Sequence, residues 1–308
     1  MPAWGDYIEN LENINPKNWQ NFINSELEKN LAIISKKLNC PNVILYASAF
    51  LQKPNLPSRE NMMTMEDMNG FMNAVYGMKD NEKLALIIHT PGGEIYAADA
   101  IIDYIHQKFN KLITIVPLYA LSAGTIVCLS SDEIIMGKQS QLGPTDPQIL
   151  YSDGQRSVSA LSIIHQFERA KKEITANQDL AGVWYPILQT LGEGLMEEAF
   201  RVIEYSKELI KKWLSVKKNI NDPEKIVKFF CEEHESHGKR INKEEAKAQG
   251  LNIKDLEEQQ SLQDAVLSAY HLLTIMFERG PVAKIIKTNH KRQWLKIIQF
   301  SVQHPINQ

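Results

Sequence analysis

An α/β fold on a parallel sheet is predicted by three features of this 308-residue chain. Short continuous apolar runs end in glycine-bearing turns, helical patterns lie between those runs, and a long helix-rich block follows them. The runs Leu84-Ala85-Leu86-Ile87-Ile88 and Leu112-Ile113-Thr114-Ile115-Val116 lack polar alternation, which marks strands covered on both faces. From 84 to 146 the pattern alternates strand, helix, strand, helix, strand, as a parallel sheet with right-handed crossovers requires.

Each element has its own signal. Residues 1–38 are polar and mainly helical, with Leu27, Leu31, Ile34 and Leu38 at helical spacing until Asn39-Cys40-Pro41 stops the run. A first strand follows at Val43–Ala47. Between Asn61 and Met78 lie Met62, Met63, Met65, Met68, Phe71, Met72 and Val75, which read as the buried side of a helix rather than a flexible peptide-gripping surface. Helices are expected at Phe167–Ala176, Leu195–Leu214 and Pro223–Glu233, and Asn242 with Glu245 forms a capping-box start before Gly250. By pattern the chain divides into a helical segment at 1–40, a core at 41–156 and 221–280 with a helical insertion at 157–220, and a C-terminal extension at 281–308.

Composition sets limits. With 44% hydrophobic and 23% charged residues the chain can bury a large core, and a net charge of −3 gives no general basic field for nucleic acid. Lys284, Lys287, Lys291, Arg292 and Lys296 are read as a solvated or oligomer-contacting face. Cys40, Cys128 and Cys231 suggest neither a disulfide framework nor a zinc site, which favours a reducing, cytoplasmic setting. No stretch approaches the roughly 18 to 20 apolar residues of a membrane span, and no strand-linked Gly-x-Gly-x-x-Gly is present to hold a dinucleotide. No cofactor and no metal are expected.

The chemistry concentrates in two turns. His89-Thr90-Pro91-Gly92-Gly93 closes one apolar strand, and Leu121-Ser122-Ala123-Gly124-Thr125 opens an apolar helix after the next. Taken singly they are an ordinary turn and a helix cap. Together they supply what acyl transfer needs: a hydroxyl at Ser122 and two backbone donors, the amides of Gly93 and Ala123, supported by Gly92 and Gly124, which let the backbone come close. Ser122 near a helix N-terminus also meets a field that favours developing negative charge.

These motifs, with Ser131-Asp132-Glu133-Ile134-Ile135-Met136-Gly137 and Leu142-Gly143-Pro144-Thr145-Asp146-Pro147-Gln148, resemble the serine dehydrogenase proteinase family. The likeness extends to Asn42–Tyr46, Leu51–Pro54, Phe167–Lys172 and Leu262–Val266, so it covers most of the chain. That family is a branch of the Clp-protease and signal-peptide-peptidase superfamily. The resemblance implies a crotonase-like core of parallel sheet and βαβ units with a helical insertion, a serine endopeptidase acting on peptide or protein substrates, and assembly into a homo-oligomer. It leaves open whether an activating partner is needed. The apolar helix Leu262–Met276, with Val266, Leu267, Tyr270, Leu273 and Met276, is a second reason to expect assembly.

A serine needs a base. Laid along the Clp pattern, the histidine position falls at Thr145 or Asp146 and the carboxylate position at Gly238, beside His237. Two repairs are open: an exchanged triad of Ser122, His237 and Asp146, or a lysine base at Lys171 or Lys172, as in signal-peptide peptidases. Lys171 and Lys172 share a predicted helix with Glu168 and Glu173, whose charges favour the protonated lysine. His89 precedes the first turn and is expected in the core, and His234 beside His237 makes no metal site without a third ligand. The broken triad order keeps a second reading in view, a non-catalytic scaffold or peptide-binding protein. An acyl-CoA enzyme of the crotonase group is disfavoured, because a serine at this turn has no role in stabilising an enolate.

Overall fold

The computed structural model describes residues 4–150, 157–191, 194–215, 217, 220–233 and 238–298. Its helices are α1 (Trp4–Glu12), α2 (Trp19–Leu38), α3 (Ser58–Asn61), α4 (Asp67–Val75), α5 (Ile95–Lys108), α6 (Ala123–Ser130), α7 (Ala160–Ala176), α8 (Ala181–Gln189), α9 (Leu195–Ser215), α10 (Pro223–Cys231), α11 (Lys243–Ala248) and α12 (Gln260–Arg279). Its strands are β1 (Asn42–Ser48), β2 (Lys83–His89), β3 (Lys111–Val116), β4 (Tyr119–Ala120), β5 (Glu133–Met136), β6 (Gln141–Leu142), β7 (Gln148–Leu150), β8 (Ser157–Ser159), β9 (Ile253–Asp255), β10 (Val282–Thr288) and β11 (Gln293–Ile297). They fall into two compact units, residues 1–141 with 252–308, and residues 142–251.

The first unit is the predicted α/β fold. Its seven-stranded sheet runs β11-β10-β1-β2-β3-β5-β9. The five strands from β1 to β9 are parallel, and β10 and β11 pair antiparallel at one side. All seven residues of β1 are buried, which explains its unbroken apolar character. On one face Val43, Leu45, Ala85, Ile87, Ile113 and Ile115 share a core with α1, α2 and α12. The opposite face meets α4 through Tyr46, whose ring lies 5.7 Å from that of Phe71. Helix α2 stops where the sequence indicates: Asn39 adopts φ 46°, and its N–H bonds back to Lys36 O. Asparagine tolerates this left-handed position better than most residues.

Several expectations change. Lys284 and Lys287 are buried members of β10, paired with Asp67 and Glu28 from α4 and α2, and are not part of a solvated basic face. Strands β10 and β11 belong to the central sheet rather than to an appendage, and the second unit reaches beyond 157–220 on both sides. In the methionine-rich segment Phe71, Val75 and Met63 are buried, but Met62 and Met65, which precede the helix Asp67–Val75, and Met72, on the helix's outward side, are exposed. Of the apolar residues of α12, Val266, Leu273 and Met276 are covered by the unit's own core, while Leu267 and Tyr270 are half-buried.

The second unit is mainly helical. Strands β7 and β8 pair antiparallel, and Ile149, Ala160, Ile163, Ala199 and Ile203 form its small core. Leu142 and Ile241 exchange two backbone hydrogen bonds of 2.9 Å. The predicted capping box is present: Asn242 Oδ1 accepts from Glu244 and Glu245 N–H, while Glu245 Oε2 accepts from Asn242 N–H. No helix among the described residues is long and apolar enough to cross a membrane.

Candidate functional site

The two glycine-bearing turns lie side by side in the first unit. Backbone hydrogen bonds join them: Thr90 N–H donates to Tyr119 O at 3.0 Å and Leu121 N–H to Thr90 O at 3.1 Å. A Cβ on Gly92 would stand 2.6 Å from Ser122 Cβ and 3.1 Å from Ala123 N, so glycine is required for this approach. On Gly124 it would stand 2.5 Å from Thr90 Cγ2, which is why the helix can begin so close to the first turn.

Ser122 sits at φ 49°, ψ −117°, a conformation that costs a non-glycine residue on the order of 1–3 kcal/mol. It occupies the N-cap position of α6, yet its side chain makes no capping hydrogen bond. Serine is favoured at N-caps because its oxygen usually satisfies an N–H of the first turn. Here the hydroxyl is turned away from that task. The N–H of Ala123, first in the helix, has no acceptor among the described residues, as follows from its place at the start of the ladder.

The second donor is oriented from the other turn. Gly92 N–H is taken by Thr90 Oγ1 at 3.2 Å, and Gly92 O accepts from Met63 N–H at 2.8 Å. The peptide bond is trans, so the Gly93 N–H points away from Met63. It too has no acceptor among the described residues. A half-buried serine hydroxyl beside two unused N–H donors is an arrangement suited to acyl transfer.

A family model described as ClpP-like SDH-type serine proteinase matches residues 56–263, which take in both turns. The chain belongs to that family. Two uncharacterized proteins of Methanocaldococcus jannaschii are similar to it. MJ0137 is 30% identical over 191 residues, 62% of this chain and 60% of that protein, and MJ1495 is 35% identical over 113 residues, 37% of each. The matched regions thus span less than two thirds of the relatives' length. Among solved structures, a mutant of the membrane-bound stomatin-specific protease 1510-N is similar at 18% identity and a TM-score of 0.42, over 64% of this chain and 77% of that one. A second mutant of the same protease, in complex with a substrate peptide, gives 18% identity and a TM-score of 0.41, over 62% and 70%.

The other candidate residues lie elsewhere in the sequence. His237 and His234 fall outside the described residues. Asp146 is 4% exposed and accepts from Gln148 Nε2 at 3.1 Å. Lys171 and Lys172 are exposed on α7, with Lys171 Nζ 4.0 Å from Glu168. His89 is a core residue, as expected, but an incompletely satisfied one. Its Nδ1 accepts a long bond of 3.4 Å from Tyr119 N–H, which puts the ring proton on Nε2, and Nε2 is buried with no partner among the described residues. The Phe50 and Tyr270 rings crowd it at 4.9 and 5.0 Å, and burial draws its pKa down to about 3. So weakly basic an imidazole is poorly matched to general-base work near neutrality. Among the described residues no group of three or more His, Cys, Asp or Glu could hold a metal ion.

Proposed function

We propose that this chain is a serine peptidase: Ser122 attacks the peptide carbonyl, the Gly93 and Ala123 amides hold the oxyanion, and water hydrolyses the acyl-enzyme. The observation that carries the reading is the pair of unused N–H donors flanking a serine that does not cap its own helix. The strained backbone of Ser122 supports it, since strain at a serine between strand and helix recurs where a nucleophile is held out for attack. In the proposed cycle His237 takes the hydroxyl proton and returns it to the leaving amine, with Asp146 orienting the imidazole; Lys171 or Lys172 is the alternative base. The same reading makes the protein a cytoplasmic homo-oligomer, a setting that suits three buried free thiols.

The test is covalent labelling by a fluorophosphonate probe together with peptide hydrolysis. Wild type should label, and Ser122→Ala should lose labelling and about 10³-fold or more of hydrolysis. With a histidine base, activity rises between about pH 6 and 7.5, and His237→Ala fails nearly as badly as Ser122→Ala; a lysine base moves the rise to about pH 8 or above. Undiminished labelling of Ser122→Ala would reject the nucleophile. A folded wild type inert to the probe would leave the non-catalytic, peptide-binding reading.

A further inference from the structure

The oxyanion turn leans on a buried charge pair. Asp67, the first residue of α4, and Lys284, in β10, both have fully buried side chains, with Lys284 Nζ 2.7 Å from Asp67 Oδ1. The contact is ionic rather than a directed hydrogen bond; the ammonium donates to Met62 O at 3.0 Å and reaches Thr64 Oγ1 at 3.5 Å. Asp67 Oδ2 accepts from Tyr46 OH at 3.0 Å and from Thr64 N–H at 2.9 Å. The pair therefore grips the segment 62–64 from both sides.

Between those anchors lies Met63, the neighbour of the glycine turn. Met63 N–H donates to Gly92 O at 2.8 Å, and Met63 O accepts from Glu94 N–H at 2.9 Å. On the other side of Gly92, Thr90 Oγ1 accepts the Gly92 N–H at 3.2 Å and lies 3.4 Å from Gly92 O. The Gly92 carbonyl is thus tied to the Asp67–Lys284 pair through Met63 and its two neighbours, while Thr90 holds the Gly92 N–H. Fixing the Gly92 carbonyl fixes the peptide plane, and that plane aims the Gly93 N–H.

Stability alone does not account for the pair. Burying two charges costs desolvation that their attraction barely repays, and apolar residues of similar volume commonly do as well or better. Directional anchoring is what apolar residues do not supply. We propose that Asp67, Lys284, Tyr46 and Thr90 form a positioning network that sets the direction of the Gly93 N–H, and with it the strength of the oxyanion site. This rests on the reading of Gly93 as an oxyanion donor; the four are positioning residues and touch no reacting atom.

The experiment measures saturation kinetics of fluorophosphonate inactivation on the full chain, giving a maximal rate, kinact, and a half-saturation concentration. It compares wild type, Tyr46→Phe, and the paired replacement Asp67→Asn with Lys284→Met. Both variants should lose about 10- to 10²-fold in kinact with half-saturation little changed, because a donor misaimed by a fraction of an ångström weakens the transition state more than encounter. Hydrogen exchange should show weaker protection of the Met63 and Thr64 amides. A purely structural role would lower the melting temperature without separating the two constants. If the paired variant does not fold, Tyr46→Phe decides alone, since it removes one hydroxyl. Folded variants with wild-type kinact overturn the network. A wild type that does not react removes the Gly93 reading itself, and the network with it.

Discussion

His89 should make the folded protein sensitive to mild acid. Its pKa is drawn from 6.5 to about 3 by burial among Phe50, Tyr119 and Tyr270. Between those two values the unfolded chain binds a proton that the folded chain refuses, so stability falls as pH falls and is regained as it rises. Each pH unit inside the window is worth up to about 1.4 kcal/mol, and moving from about pH 7 to about pH 4.5 should cost about 2.5 kcal/mol through this residue alone. The perturbation is His89→Gln, which keeps a similar reach and never titrates. Urea unfolding of both proteins at the two pH values gives four free energies, and groups common to both cancel in the difference of differences. The wild type should lose about 2.5 kcal/mol more than the variant. Equal losses, within about 0.5 kcal/mol, would refute a buried neutral imidazole.

Other outcomes follow from the same geometry. Gly93→Ala should abolish labelling and cost at least about 2 kcal/mol in chemical unfolding, whereas Gly77→Ala should cost only about 1 kcal/mol. The contrast arises because a Cβ at Gly93 would stand 2.1 Å from Met63 O, while at Gly77, also at positive φ, it meets nothing within 4 Å. Asn242→Ala removes the acceptor of two N–H groups and should cost about 1 kcal/mol, read from the same unfolding curves. Cys231, buried with its pKa pushed up to about 11, and the buried Cys128 should resist a thiol reagent until denaturant is added.

What could be read from sequence depended on whether the cause was local. The parallel strands were visible because burial on both faces leaves an unbroken apolar run, and the Asn242 box because a cap is written in four consecutive residues. Ser122, Gly92, Gly93, Ala123 and Gly124 were found together because glycines at a strand end and a helix start have few other uses. The Asp67–Lys284 pair was missed: a lysine in Val282–Thr288 looks like a surface charge until a carboxylate 0% exposed is found beside it. One signal was available, since Lys284 and Lys287 punctuate an otherwise apolar run and must point to opposite faces of a strand. The base was the least legible part, because the spacing of its candidate segments departs from the family order.

The position of Lys284 also has a consequence in time. It reaches back to Met62 across 222 residues of sequence, and β10 is the antiparallel neighbour of β1 in the sheet. At about 5–20 residues per second of synthesis, the turn at Gly92 and Gly93 is made roughly 10–40 s before the lysine that steadies it. A growing chain therefore carries its serine for most of its birth without the anchors that aim the backbone beside it. If the amide is set as proposed, a nascent polypeptide is a poor cutter of its neighbours, and competence arrives only when the late strand docks.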